Sequence, residues 1–186
     1  MLVHAAGSGT GNLTAQVASN VFGATVIGTA STSKLDKVPL PLKQVVDYSG
    51  FPDDLASKLR TMTPNNRGFD VVLDGVGKST AACSLDSARV RGMVVYFGNT
   101  SGDIPPIEPQ KLSVKGSLFV TRPRLHDYIA TQEELLERAK DVFSWVREGK
   151  VKVILDKEFS TLESVDEAME YVRRGVTNGG KVVTKL

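Results

Sequence analysis

The sequence predicts an α/β fold: a doubly wound, mostly parallel sheet with helices on both faces. Two observations point to it. Apolar segments of strand length alternate with segments of helical spacing along the whole chain, with Gly, Pro and Asn between them. A glycine-rich turn also joins the first apolar segment directly to the first helical one. At 186 residues the chain can bury one ordinary core.

The first unit runs from Met1 to Gly28. Met1 to Ala6 is an apolar strand, followed by Gly7-Ser8-Gly9-Thr10-Gly11. Asn12 to Gly23 reads as a helix, with Leu13, Val17, Ala18 and Val21 on its inner face, and Ala24 to Gly28 reads as a second strand. Strand, glycine turn, helix and strand in this order make a dinucleotide-binding unit of the Rossmann type. Glycines allow close approach to a pyrophosphate, and the helix that follows offers unpaired N–H groups and the positive end of its dipole. Aligned with Gly11 as the third glycine of G-x-G-x-x-G, the motif departs at Ala6 and Ser8. Ser8 places a β-carbon at the point of approach, although its hydroxyl can donate to phosphate. Ser8, Gly9 and Thr10 are therefore the candidate phosphate residues; a glycine-rich loop of another α/β protein is the competing reading.

Thr29-Ala30-Ser31-Thr32-Ser33-Lys34 follows. An NAD-binding unit wants an acid about twenty residues beyond the glycine turn, to accept from the ribose hydroxyls, and this stretch holds none. Ser31, Thr32 and Lys34 suit a 2′-phosphate instead, since they donate to it and neutralise it; a solvated Ser/Thr loop is the alternative. Pro39 and Pro41 keep Asp36 to Leu42 from forming a long helix, so one short turn or an irregular crossover is expected. Gln44 to Val46 is a short strand. Asp53 to Met62 is a helix with Leu55 and Leu59 inward, and Pro64 to Gly68 is a turn.

Phe69 to Asp74 is the next strand. Asp74 at its end reads as a carboxylate satisfying backbone N–H groups, with Gly75 and Gly77 keeping the turn open. Thr80 to Arg89 is a helix in which Cys83 is packed and not reactive. Met93 to Phe97 is a strand, Gly98 to Gly102 its loop, and Asp103 to Pro109 an extended proline-rich segment. Ser117 to Val120 is the sixth strand. Glu133 to Glu148 is the longest helix, Val151 to Ile154 a strand, Leu162 to Arg174 a helix and Lys181 to Val183 a last strand.

Composition excludes several functions. A net charge of +2 gives no electrostatic footprint for nucleic acid or a membrane surface. No apolar run has bilayer length, and no basic-then-apolar leader opens the chain. The one cysteine, Cys83, fits a reducing compartment, so a cytoplasmic location is expected. His4 and His126, with Cys83, are too few for a structural zinc set. No Gly-x-Ser-x-Gly elbow is present, and no general acid or base can be nominated.

Several segments carry a family resemblance. These are His4 to Gly11 with Gln16, Val26-Ile27-Gly28-Thr29, Val46-Asp47-Tyr48, Asp74-Gly75-Val76-Gly77, Ser84-Leu85-Asp86 and Arg91-Gly92. More specific are Phe97-Gly98-Asn99 with Ser101-Gly102, and Lys115-Gly116-Ser117-Leu118-Phe119-Val120-Thr121-Arg122-Pro123. In order along the chain, with a short deletion after Thr29, they resemble the zinc-free, zeta-crystallin-like quinone oxidoreductases of the medium-chain dehydrogenase/reductase superfamily. The resemblance implies NADP(H), with Lys34 and Tyr48 at the 2′-phosphate. It places Gly75, Phe97, Gly98 and Asn99 beside the cofactor, and has Phe119, Val120 and Thr121 contact the nicotinamide through backbone. It divides the chain into a cofactor domain, 1–125, and a segment, 126–186, that completes a substrate domain begun ahead of this stretch. The chain then looks like the C-terminal part of a larger enzyme, and Leu135, Phe143, Val153, Phe159 and Met169 are expected to form an exposed apolar patch. The implied activity is transfer of reducing equivalents from NADPH to a quinone, with no metal, in a homodimer paired through the sixth strand. An enone or alkenal reductase and a silent NADPH-binding or dimerisation module are the alternatives.

Overall fold

The central strands are apolar on both faces, as a sheet covered on both sides requires. In the computed structural model, which describes residues 1–38, 42, 44–49, 53–175, 177 and 179–185, six strands form one sheet. They are β1 (Leu2–Val3), β2 (Ile27–Ala30), β3 (Gln44–Asp47), β4 (Phe69–Asp74), β5 (Ala88–Tyr96) and β6 (Phe119–Thr121). Their spatial order is β3-β2-β1-β4-β5-β6, and every neighbouring pair is parallel. Alternation along β1 separates two cores. Leu2 joins Leu55, Leu59, Val72 and Tyr96 on one face, while Val3 joins Ala6, Ala15, Ala18 and Val26 on the other. The first face is covered by α2 (Leu55–Thr61) and α3 (Ala81–Ser87), the second by α1 (Gly9–Gln16).

Several elements differ from the sequence reading. Helix α1 begins at Gly9, three residues early, because the Ser8 hydroxyl caps it by accepting from the Gly11 N–H at 3.1 Å. It passes into a π-helical turn, Val17–Val21. The second crossover contains a short 3₁₀ turn, Thr32–Lys37, in line with one short turn; Pro39 and Pro41 lie outside the described residues. Helix α3 stops at Ser87, so Arg89 belongs to β5. There Arg91 takes a positive φ of 58° beside Gly92, and the register against β4 shifts between Phe69 and Val71. Helix α4 (Pro109–Val114) starts at the last residue of the segment expected to be extended: Pro109 opens that helix, where its missing N–H costs nothing. The four-residue α5 (Leu125–Tyr128) was also not expected.

Beyond β6, α6 (Gln132–Arg147) carries a capping box in which Thr131 and Glu134 satisfy each other's backbone N–H groups. A 3₁₀ turn at Leu162–Ser164 leads into α7 (Val165–Arg173). Strands β7 (Leu155–Phe159) and β8 (Lys181–Thr184) pair in parallel as a separate two-stranded sheet. The strand expected at Val151 to Ile154 is not there. Its backbone is engaged by a side chain: Gln16 Oε1 accepts from the Lys152 N–H at 2.7 Å, and Gln16 Nε2 donates to the Lys152 carbonyl at 3.0 Å. Asn20 donates to the Lys150 carbonyl at 2.7 Å, and Phe22 meets Trp145 edge-on. The C-terminal segment is thereby held against α1 and the turn after it.

Candidate functional site

The sheet order places a topological switch point between β1 and β4, where crossovers leave to opposite faces and a crevice opens at the strand C-termini. The turn leaving β1 forms its floor. Ala5 adopts a left-handed φ of 52°. Its N–H donates to Thr29 Oγ1 at 3.3 Å, and the next N–H, of Ala6, donates to the Thr29 carbonyl at 2.8 Å. The start of α1 then passes so near β1 that a Cβ on Gly11 would stand 2.2 Å from the Ala5 carbonyl oxygen. Glycine is required there by contact, and the helix N-terminus is consequently aimed into the crevice.

The crevice has a volume of about 550 Å³. Six of the residues singled out from sequence meet in it: Ser8, Gly9 and Thr10 from the turn, and Gly75, Phe97 and Gly98 from the loops after β4 and β5. The Phe97 ring packs on Gly75, where a Cβ would lie 2.7 Å from the ring. Ser8 accepts at Oγ and so retains its own proton to donate. The opposite wall was missed: Val172, Thr177, Gly180, Lys181 and Val182 line it. Lys181 Nζ comes within 3.5 Å of the point a Cβ on Gly9 would occupy, a cation over the N-terminus of α1. The available signal was Gly179-Gly180-Lys181, a glycine pair that lets the chain approach the first turn; a Cβ on Gly179 would stand 2.9 Å from the Gly7 carbonyl oxygen.

Beneath the crevice two polar groups are held by hydrogen bonds. Asp74, wholly buried, accepts from the N–H groups of Val76 (2.8 Å) and Gly77 (3.0 Å) and from the hydroxyls of Thr80 and Ser84 (2.8 and 2.6 Å). Its role is to shape the turn, as expected from sequence. His4 is also buried, with Nδ1 3.0 Å from Thr29 Oγ1. Burial pushes the imidazole below its ordinary pKa, with Asp74 partly opposing, so the ring is neutral near pH 7. The Thr29 hydroxyl thus receives the Ala5 N–H and is shared with Nδ1 of His4, and Nε2 is buried without a hydrogen-bond partner.

The four residues assigned to a 2′-phosphate sit at the ends of β2 and β3. Lys34 starts beside the glycine turn, its Cβ 3.1 Å from the position a Cβ on Gly7 would take. Ser31 Oγ lies 3.3 Å from Ser33 Oγ. Thr32 donates its hydroxyl to Asp47 Oδ2 at 2.6 Å and its N–H to Ser49 Oγ at 2.9 Å. Tyr48 is half-buried; burial first, then the neighbouring Asp47, pushes its phenol above the ordinary value. Asp47 is held below the usual carboxylate range by the hydrogen bonds from Thr32 and Ser49.

Asn99 and the β6 residues are placed elsewhere. Asn99 donates to Asp103 Oδ1 at 2.9 Å and, with Val120 and Arg122, lines a second cavity of about 420 Å³. Phe119 is exposed on β6 and Thr121 half-buried. Cys83 packs against the core near Ser87, and burial raises its thiol pKa. Among the described residues, no group of three or more His, Cys, Asp or Glu side chains is placed to hold a metal ion, and no helix is long and apolar enough to cross a membrane.

Residues 40–183 match the family described as zinc-binding dehydrogenase. The chain is 36% identical over 187 residues to quinone oxidoreductase 1 of Escherichia coli, covering 98% of this chain and 55% of that protein. It is 38% identical over 167 residues to 2-haloacrylate reductase of Burkholderia, covering 88% and 49%. Among solved structures, the E. coli quinone oxidoreductase complexed with NADPH superposes with a TM-score of 0.85 at 35% identity, over 98% of this chain and 56% of that one. The Pseudomonas syringae quinone oxidoreductase gives 0.87 at 34%, over 100% and 56%. The chain spans about half the length of the curated relatives it matches. On the family match over residues 40–183, with the quinone oxidoreductase relatives and superpositions beside it, the chain belongs to the zinc-binding dehydrogenases, within the quinone oxidoreductase branch of the medium-chain dehydrogenase/reductase superfamily.

Proposed function

We propose that this chain is the NADP(H)-binding part of an NADPH-dependent quinone oxidoreductase. The observation that carries the reading is the crevice itself: a capped helix N-terminus and the Lys181 ammonium meet at the switch point of a 3-2-1-4-5-6 sheet. Both elements attract an anion, and Gly11 removes the β-carbon that would push the helix start away. The residues present therefore suit a dinucleotide. Ser8, Gly9, Thr10 and Lys181 would hold the pyrophosphate. Ser31, Thr32, Lys34 and Tyr48 would take the adenosine 2′-phosphate. Gly75, Phe97 and Gly98 in the crevice would orient the nicotinamide end, and Asn99 with the backbone of Phe119, Val120 and Thr121, which lie outside the crevice, would meet it only where the cofactor extends toward β6.

NADPH, when bound, supplies the hydride. The chain's own part is to bind, orient and keep water from one face of the cofactor. Phe97, packed on Gly75, supplies that apolar wall. No side chain of this chain is assigned a proton transfer; His4 is buried and neutral and acts on the turn. Residues 1–125 would form the cofactor domain and 126–186 would complete a substrate domain, so a quinone would be held largely by parts beyond this chain. The 2-haloacrylate reductase relative favours a second reading, reduction of an activated carbon–carbon double bond. We further infer a homodimer paired through β6 and work in the cytoplasm, without metal.

Titration calorimetry with NADPH and NADH, followed by NADPH oxidation with a simple quinone, tests the proposal. Tighter binding of NADPH, lost in part on Lys34→Ala and more generally on Lys181→Ala, is expected. A single charge-assisted contact is worth about 1.5–3 kcal/mol, or roughly ten- to a hundred-fold. Binding of neither nucleotide overturns the reading. Preference for an acrylate over the quinone selects the second one.

A further inference from the structure

The end of β2 lacks the acid that would accept from the ribose hydroxyls of NADH, yet the spot is not free of negative charge. In the β2–β3 ladder Ala30, the last residue of β2, stands directly opposite Asp47. The neighbouring strand thus delivers a carboxylate to the place where β2 has none. Asp47 is fixed there. Oδ2 receives the Thr32 hydroxyl proton at 2.6 Å, and Oδ1 receives the Ser49 N–H at 2.7 Å. The Ser49 hydroxyl lies 2.8 Å from Thr32 Oγ1 and accepts the Thr32 N–H.

We propose that Asp47 determines cofactor selectivity: by holding a negative charge beside the 2′-phosphate residues and by taking up the Thr32 hydroxyl proton, it keeps the preference for NADPH over NADH small. This rests on the nucleotide reading above. Two effects act together. An ionised carboxylate at the rim repels the phosphate dianion across a short, partly screened distance. In addition, a threonine hydroxyl has one proton, and here it is given to Asp47, so Thr32 meets the phosphate as an acceptor facing an acceptor. Asparagine at this position reverses both. Its Oδ1 still receives the Ser49 N–H, and its Nδ2 donates to Thr32 Oγ1. The Thr32 proton is then freed from the carboxylate, to go to phosphate or to the Ser49 hydroxyl oxygen 2.8 Å away, and no charge is left behind. Lys34 and Tyr48 are left in place, and the Tyr48 phenol loses only the neighbouring charge that adds to the effect of its burial.

The test uses the 186-residue chain in titration calorimetry with NADPH and NADH. Asp47→Asn is expected to tighten NADPH about ten-fold, in keeping with removal of one nearby like charge. NADH should change less than two-fold, because it carries no 2′-phosphate for the charge to repel. In a Thr32→Val background the same exchange should recover only part of that gain, since the released proton is absent. Asp47→Ser, made in parallel, removes the charge with a smaller side chain and should also favour NADPH. Equal shifts for both nucleotides, or weaker NADH with NADPH unmoved, overturn the inference; the latter would make Asp47 a ribose acceptor. If neither nucleotide binds the unaltered chain, the nucleotide reading fails and the selectivity inference fails with it.

Discussion

Asp74 shows how a residue that invites a catalytic reading is explained by its partners. Its carboxylate satisfies two backbone N–H groups and two hydroxyls in a buried turn. Asp74→Ala strands both N–H groups and the Ser84 hydroxyl, while the Thr80 hydroxyl keeps the Gly77 carbonyl at 3.2 Å, and each buried unsatisfied group costs about 1–3 kcal/mol. A loss of at least about 3 kcal/mol in urea unfolding is expected, without a specific effect on nucleotide chemistry. His4 makes a prediction of pH dependence. Its folded pKa lies below the unfolded value near 6.5, so the unfolded chain takes up the proton first as pH falls. The stability from its neutral form is fully present above about pH 6.5 and declines by up to about 1.4 kcal/mol per pH unit below it, until the folded pKa is reached. Thermal midpoints between pH 8 and 5.5 should show this fall, and His4→Asn, which keeps an acceptor for Thr29, should flatten it. Residue types named the turn and the phosphate candidates from sequence. For Lys181 the one local signal is the glycine pair before it, which permits a close approach without saying that the last strand returns to the first turn.

Elements were legible where a single local force sets them. Phe69 to Asp74 and the helix around Leu55 and Leu59 follow from apolar periodicity alone. Leu59 is fully buried, and Leu59→Ala should cost about 2–5 kcal/mol in chemical denaturation. Boundaries failed where a cap or a distant side chain decides. Ser8 pulled the start of α1 forward. Pro109 opened a helix where proline had suggested extended chain, and Gln16 occupied the backbone of a segment whose pattern reads as a strand. The capping box of α6 stands in the sequence as Thr131-Gln132-Glu133-Glu134 and sets the helix start at Gln132, one residue ahead of the expected Glu133. Thr131→Ala should lower stability by about 1 kcal/mol, read as faster amide exchange confined to the first turn of α6.

At the scale of the whole molecule, the apolar side chains expected to lie exposed mostly do. Leu135, Val153 and Met169 are about half exposed, and Phe143 is 72% exposed. Phe159 is the exception: only 5% exposed, it packs edge-on to Tyr171 under the Lys157 ammonium. The two-stranded β7–β8 unit therefore has a small core of its own, which a pattern of exposed and apolar positions cannot reveal. Strand β6 closes the six-stranded sheet with Phe119 exposed, and an apolar edge of this kind is prone to pair with another strand. Light scattering should give twice the chain mass at micromolar concentration, and Phe119→Asp should halve it; a monomer before substitution would contradict the dimer.

The carboxamide of Gln16 joins residues 136 positions apart through both of its polar atoms. A contact so remote along the chain is reached only after a long loop has closed, which carries an entropic cost that grows slowly with loop length. The order of events in folding follows. The sheet and α1 must stand before Lys152 has anything to bind, so the C-terminal segment docks last and, under mild destabilisation, should detach first. Native-state hydrogen exchange makes this visible: the Lys152 amide should exchange through a partial opening, well before that of Val72 in the sheet. In Gln16→Ala its protection should collapse while that of Val72 stays as it was.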